Sequence, residues 1–158
     1  MVKKTDHRHG NVSAREPDDV APAIGAASRA MIGAMMARLG ARGFEGLTPA
    51  FAGLIPLLDA TGARASALAQ RSGVTKQAMS QLVRELEARG YVEQVPDPTD
   101  TRAKIIRLTK RGVALRAACL LVRDDIQALA AATLGKSGLV RLQRDLARLA
   151  VALTKPPT

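Results

Sequence analysis

Between Leu68 and Leu86 the chain reads LAQRSGVTKQAMSQLVREL, and few folds accept residues in that order. Two helices that cross steeply need a small residue where their backbones approach, and Ala69 supplies it. The connection between them needs a residue that tolerates positive φ, and Gly73 stands four positions later. Val74 can fill the turn from inside. Met79, Leu82, Val83 and Leu86 then recur at i, i+3, i+4 and i+7, which predicts one buried stripe on a helix opened by Thr75 and closed after Arg89 by Gly90. The segment predicts a helix-turn-helix.

The side of that second helix away from the stripe can be read at about 100° per residue. It carries Gln77, Ser80, Gln81 and Arg84, with Thr75 and Lys76 at the N-terminal end. Gln can bond adenine through two atoms, Arg can fork onto guanine, and Ser is adaptable. Lys76 and the helix start suit phosphate. Glu85 and Glu87 come late and to the sides, so the first turns of this face hold no carboxylate. An amphipathic helix whose polar face meets only water would have no reason to avoid carboxylates there.

Composition narrows the rest of the fold. Hydrophobic residues make up 47% of the chain but aromatics only 2%, with no Trp and one Tyr. A core of Leu, Ala, Val and Met suits close-packed helices better than a large sheet, since strands favour β-branched and aromatic residues. Lys and Arg total 24 against 14 Asp and Glu, for a formal charge of +10, and the pI is near 10.8. Such an excess attracts polyanions, nucleic acid first among them, although a basic surface can also serve solubility alone. The single Cys119 excludes an internal disulfide framework and a Cys-rich zinc site.

Other classes find little support. No uninterrupted run of about 18 apolar residues stands out, so a membrane span is not expected. The opening residues are polar and lack the apolar stretch of a signal peptide, which leads to an expectation of a cytoplasmic protein. There is no Ser/His/Asp arrangement, no cluster of metal ligands and no Gly-rich phosphate loop, so neither enzyme activity nor a cofactor nor a metal is expected. His7 and His9 read as solvated residues of a tail.

Along the chain, residues 1–17 show no apolar period and read as a disordered tail, followed by one domain over 18–154. Ile24, Ala27, Met31, Met35 and Leu39 predict a helix over about 20–40, weakened by Gly25 and Gly33 and therefore dependent on packing. Thr48 and Pro49 open a second helix with Phe51, Leu54, Ile55 and Leu58 on one side, which Pro56 must bend or shorten. A short helix spans about 64–71. After Gly90, residues 91–95 have β character, residues 96–100 form a loop that no helix can cross, and Ile105, Ile106 and Leu108 return as a second short strand. Thr109 opens a long helix to about Leu134, Gly135 breaks it, and a last helix from about Ser137 carries Leu139, Leu142, Leu146, Leu149 and Leu153 in a seam. The reading is mainly α, with a minor β part: a winged helix-turn-helix with a two-stranded wing, flanked by N- and C-terminal helices.

Four segments in order resemble the MarR (multiple antibiotic resistance regulator) family over about residues 20–153: Leu47-Thr48-Pro49; Leu68-Ala69 with Gly73-Val74-Thr75; residues 86–92; and Asp97-Pro98 through Leu108-Thr109-Lys110-Arg111-Gly112. The resemblance implies an obligate dimer with a triangular body. Its DNA-binding lobe would span about 47–109, and its dimerisation helices about 20–40 and 110–153. It also implies an Asp-x-Arg element in each wing, here Asp100 and Arg102. Asp100 could hold Arg102 extended so that its guanidinium enters the minor groove, with Lys104 as a phosphate neighbour and Arg107 beside it; a surface ion pair stiffening the hairpin would look the same.

The leucine seam could pack within one subunit or between two, and the resemblance favours the second. Two recognition helices about one DNA turn apart then read a near-palindrome. The implied function is a sequence-specific regulator of transcription, a repressor released by a small effector. Relatives take small aromatic or anionic molecules, for which Met31, Met35, Phe44, Phe51 and Leu54 are candidates here, although Met and Phe at helical spacing also suit a plain core. Cys119 departs from relatives that sense peroxide near the first helix, and reads as a buried, inert thiol. Two rival readings remain: a winged helix used only for protein interaction, and a protein that coats DNA regardless of sequence.

Overall fold

A computed structural model describes residues 19–59 and 61–154. The expected N-terminal tail and the last four residues lie outside them. The element order is α1 (Val20–Gly40), α2 (Pro49–Leu54), a 3-10 turn (Ile55–Leu57), β1 (Ala63–Arg64), α3 (Ala65–Ser72), α4 (Lys76–Ala88), β2 (Val92–Asp97), β3 (Asp100–Leu108) and α5 (Lys110–Leu153).

Local chemistry sets the boundaries. The Thr48 hydroxyl accepts from the Phe51 N–H at 3.3 Å, and Pro49 sits at the start of α2, where its missing N–H costs nothing. Pro56 then limits α2 to Leu54 and tightens the chain into the 3-10 turn. Gly73 caps α3 in the left-handed region at φ 67°, and the Val74 N–H returns to the Ala69 carbonyl at 3.1 Å. The Thr75 hydroxyl accepts from Ala78 N at 3.1 Å and starts α4. Within α5, Gly135 has φ 71° and ψ 156°, a conformation no L side chain adopts readily, and the helix is broken there into two arms.

The sheet is antiparallel and three-stranded, in the order β1-β3-β2. Its two long strands make the expected wing, but they reach further than periodicity predicts. β2 runs through Pro96 to Asp97, and β3 begins at Asp100, so Pro98 and Thr99 alone form the turn. Pro96 is tolerated because β2 is an edge strand, where a missing ladder donor leaves no buried partner unpaired. The third strand, β1, is two residues long, too short for any period to reveal. It lies so close to β3 that a Cβ on Gly62 would overlap the Ile106 carbonyl.

One core joins every layer. Leu39 from α1, Phe51 and Leu54 from α2, Leu68 from α3, Met79 and Leu86 from α4, Ile106 from β3 and Leu115 and Val122 from α5 are all buried in it. The base of the wing is locked to the start of α5. The Thr109 hydroxyl donates to the Gly90 carbonyl at 2.6 Å, and Arg111 donates to the Arg89 carbonyl at 3.0 Å with its guanidinium 4.6 Å from the centre of the Tyr91 ring. Gly112 faces the Tyr91 carbonyl with no room for a Cβ.

The flanking helices are less covered. α1 packs along α5, and an ion pair between Arg42 and Asp125 at 2.8 Å ties its end down. Its length of 21 residues and mean hydropathy of 1.3 would suffice to cross a membrane. Ser28, Arg29 and Arg38 interrupt its apolar run, while many Ala and Met residues keep the average high.

Candidate nucleic-acid interface

α4 is anchored from below. Met79, Val83 and Leu86 are buried and Leu82 is half-buried, so the rotation of the helix is fixed by core packing. The opposite side is open: Thr75, Lys76, Gln77, Gln81 and Arg84 are exposed and Ser80 is half-buried. Some of this side is already occupied locally. The Thr75 hydroxyl accepts from Ala78 N–H as the helix cap and keeps its donor, whereas the Ser80 hydroxyl donates to the Lys76 carbonyl at 2.9 Å and keeps only its acceptor capacity. Gln77 and Lys76 make no side-chain hydrogen bond to any described residue.

The two carboxylates late in α4 each hold an amide. Glu85 accepts from Gln81 at 2.8 Å, and Glu87 accepts from Gln94 of β2 at 2.7 Å, which ties α4 to the wing. Arg84 donates to the side-chain amide oxygen of Gln81, Oε1, at 2.7 Å.

In the wing, Asp100, Arg102 and Lys104 are all exposed, as is Arg107. The Asp100 carboxylate accepts from the main-chain N–H of Arg102 at 3.1 Å. No ion pair joins the two side chains among the described residues, so Asp100 fixes the backbone that carries Arg102 and leaves the guanidinium unconstrained. The expected role of Asp100 is corrected accordingly: a carboxylate two residues ahead in a tight turn is nearer to the main chain than to the end of a long side chain.

The charge that organises the wing is Asp97, which ends β2 where a loop over 96–100 is expected. Asp97 is 4% exposed, the one buried charged side chain among the described residues. One carboxylate oxygen accepts from Arg64 Nε at 2.6 Å; the other accepts from the Thr99 N–H at 2.8 Å and its hydroxyl at 2.7 Å. Arg64 also donates to the Thr99 hydroxyl at 3.3 Å. The Thr99 bonds and the Arg64 guanidinium hold the Asp97 carboxyl at a pKa of about 2, well under its ordinary 3.8. Because Arg64 ends β1 and opens α3, this clamp fastens the wing tip to the helix-turn-helix. The spacing Asp97 to Thr99 is a visible Asx-turn signal, but a partner 33 positions away in sequence is not.

The seam residues of α5 lie beyond the lobe. Leu139 is buried and Leu149 half-buried, while Leu142, Leu146 and Leu153 are 44%, 43% and 76% exposed. Val20, Ile24 and Met31 of α1 are also exposed. Four of the five residues expected to line an effector site belong to the core instead, and the fifth lies apart from it. Phe51 and Leu54 are buried in the core, Met35 and Phe44 pack half-buried against it, and Met31 is exposed. Leu54 lines a cavity of about 360 Å³ between α2 and the helix-turn-helix, walled by Leu57, Val74, Met79 and Leu82 with Arg71 as its charged residue. Cys119 is buried, and burial raises its thiol pKa, as expected of an unreactive side chain.

Residues 45–103, which run from the loop before α2 into β3, match the model of the MarR family. No curated protein matches the sequence. Among solved structures, a Staphylococcus aureus MepR–DNA complex superposes with a TM-score of 0.73 at 19% identity, covering 85% of this chain and 98% of MepR. A probable transcriptional regulator from Pseudomonas aeruginosa gives 0.70 at 25% identity, covering 84% and 97%. A mutant of Escherichia coli MarR complexed with operator DNA gives 0.70 at 20% identity, covering 82% and 91%. The shared architecture is the winged helix with its flanking helices.

Proposed function

We propose that this chain, whose residues 45–103 match the MarR family model and whose fold is that of MepR, is a DNA-binding regulator of transcription that acts as a homodimer through α4 and the wing. The observation that carries this reading is the pose of α4. Its apolar stripe is held in the core, and Lys76, Gln77, Gln81 and Arg84 are presented together to solvent. Gln77, Ser80, Gln81 and Arg84 read base edges in the major groove; Thr75 and Lys76 meet phosphate. Arg102 and Lys104, on a hairpin braced by Asp97 and Asp100, reach the flanking minor groove and backbone. The formal charge of +10 supports the same partner. MepR and MarR, which share the fold, have been seen on DNA.

One domain over 18–154 carries the lobe (47–109) and the dimerisation helices (20–40 and 110–153). The leucines from Leu139 to Leu153 form the subunit contact together with α1, because so many apolar side chains on both remain uncovered in a single chain. A two-fold dimer of this kind reads a near-palindromic operator. Its regulatory form is a repressor released by a small aromatic or anionic molecule. The apolar cavity beside Met79 and Leu82 supports that form, since a molecule seated there presses on the helix that reads DNA.

Selection of duplexes from a random pool, followed by titration across salt, tests the proposal. A symmetric preferred site, with affinity falling steeply as salt rises, is the expected result. Binding that ignores sequence would instead describe a coating protein, and no binding at all an interaction module. Repeating the selection with small aromatic acids added tests release.

A further inference from the structure

Gln81 is the one α4 side chain on the open face whose amide is held at both ends. Arg84 donates to its Oε1 at 2.7 Å, and its Nε2 donates to Glu85 Oε1 at 2.8 Å. The two partners are chemically one-sided. A guanidinium has only donors and a carboxylate only acceptors, so each alone dictates which end of the amide is oxygen and which is nitrogen. They dictate the same orientation. Gln81 keeps one N–H and one Oε1 lone pair beyond these two bonds, in an order that the two partners fix.

That pair complements the major-groove edge of adenine, which offers an N7 acceptor beside an N6 donor. The order of the pair matters: reversing the amide would reverse the order of donor and acceptor that the base must present. On a duplex, Arg84 is drawn to acceptors of its own, guanine or phosphate, and releases Gln81. Glu85 has no such alternative. It is half-buried at the flank of α4, its charge is opposite to that of a nucleic-acid contact, and no described Lys or Arg lies within ion-pair distance of it.

We propose that Glu85 is a positioning residue for base recognition: it fixes the direction of the Gln81 amide and thereby sets on which strand Gln81 accepts adenine. The assignment rests on the DNA-binding reading above. It gives a function to a carboxylate that electrostatics alone would exclude from a nucleic-acid surface.

Glu85→Gln tests it, because the replacement amide can donate or accept and no longer dictates direction. Sites selected by the wild-type dimer carry adenine at one symmetric position in each half-site. In E85Q the preference at that position falls about tenfold, the scale of one bidentate base contact. Affinity for random duplex is retained or rises, and helix content is unchanged. Q81A loses the same preference, and adding E85Q to Q81A changes nothing further at that position. An E85Q protein that selects as sharply as wild type would overturn the assignment. So would an E85Q effect at that position that persists without Gln81. A wild-type protein that selects no site would overturn the DNA reading and this inference together.

Discussion

Single residues carry sharply different kinds of constraint here. Gly112 is constrained by space: a Cβ would overlap the Tyr91 carbonyl, which belongs to the backbone and cannot swing aside. Gly112→Ala should therefore destabilise the fold by about 2 kcal/mol or more in denaturant unfolding, the scale of a forced overlap in a packed site. Among the described residues, Arg102 is held only through its backbone. Arg102→Ala should leave the thermal midpoint within a few degrees of wild type and weaken operator binding severalfold; an unchanged affinity in a folded variant would remove the wing from the interface. Asp97 is constrained by charge. Its carboxyl is ionised in the fold down to about pH 2 but takes up a proton near 3.8 when released, so its stabilising contribution is complete above 3.8 and is lost as pH falls through about 2. Wing amides should lose hydrogen-exchange protection across that window in wild type, and Asp97→Asn should flatten the dependence.

Elements were legible where their signal is local. Thr48-Pro49 marked the start of α2, Gly73 and Thr75 marked the turn into α4, and Gly135 marked the break in α5, whereas the end of α2, expected at Thr61-Gly62, comes at Leu54 because of Pro56. The buried stripe of α4 was readable because a helix repeats its face within a few residues. What escaped depends on partners distant in sequence. β1 exists because Gly62 lets the chain approach β3, and the wing is long because Arg64 and Thr99 saturate Asp97. Nothing near Asp97 announces an arginine from the other side of the helix-turn-helix. Nor does the α4 pattern announce that Glu85 would take the amide of Gln81, since that bond depends on which rotamers the anchored helix presents. At this scale the account predicts that Gly135→Ala strains the break by about 1–3 kcal/mol or straightens it into one continuous helix. Either outcome shifts the second arm of α5 and should raise the dimer dissociation constant in sedimentation, with the lobe's fold intact.

The whole molecule pairs a covered lobe with uncovered ends. Within the lobe, Phe51, Met79, Leu86 and Ile106 leave almost no apolar surface to water, whereas Leu142, Leu146 and Leu153 on α5 and Val20 and Met31 on α1 lie open. A chain built this way gains most by burying those ends against a second copy, which also doubles the DNA-reading surface. Removing residues 136–158 should abolish the dimer, and a stable truncated monomer that still binds its operator tightly would refute that division of labour. The central claim, however, concerns α4, and one comparison tests it most directly. The affinities of wild type and of a Gln77→Ala, Gln81→Ala, Arg84→Ala variant are measured by fluorescence anisotropy on a duplex selected by the wild-type protein and on random duplex. The variant should fold and dimerise as wild type does, yet lose at least about a hundredfold on the selected duplex and fall to its own random-sequence affinity. A variant that still prefers the selected duplex by the wild-type margin would show that this face of α4 does not read DNA.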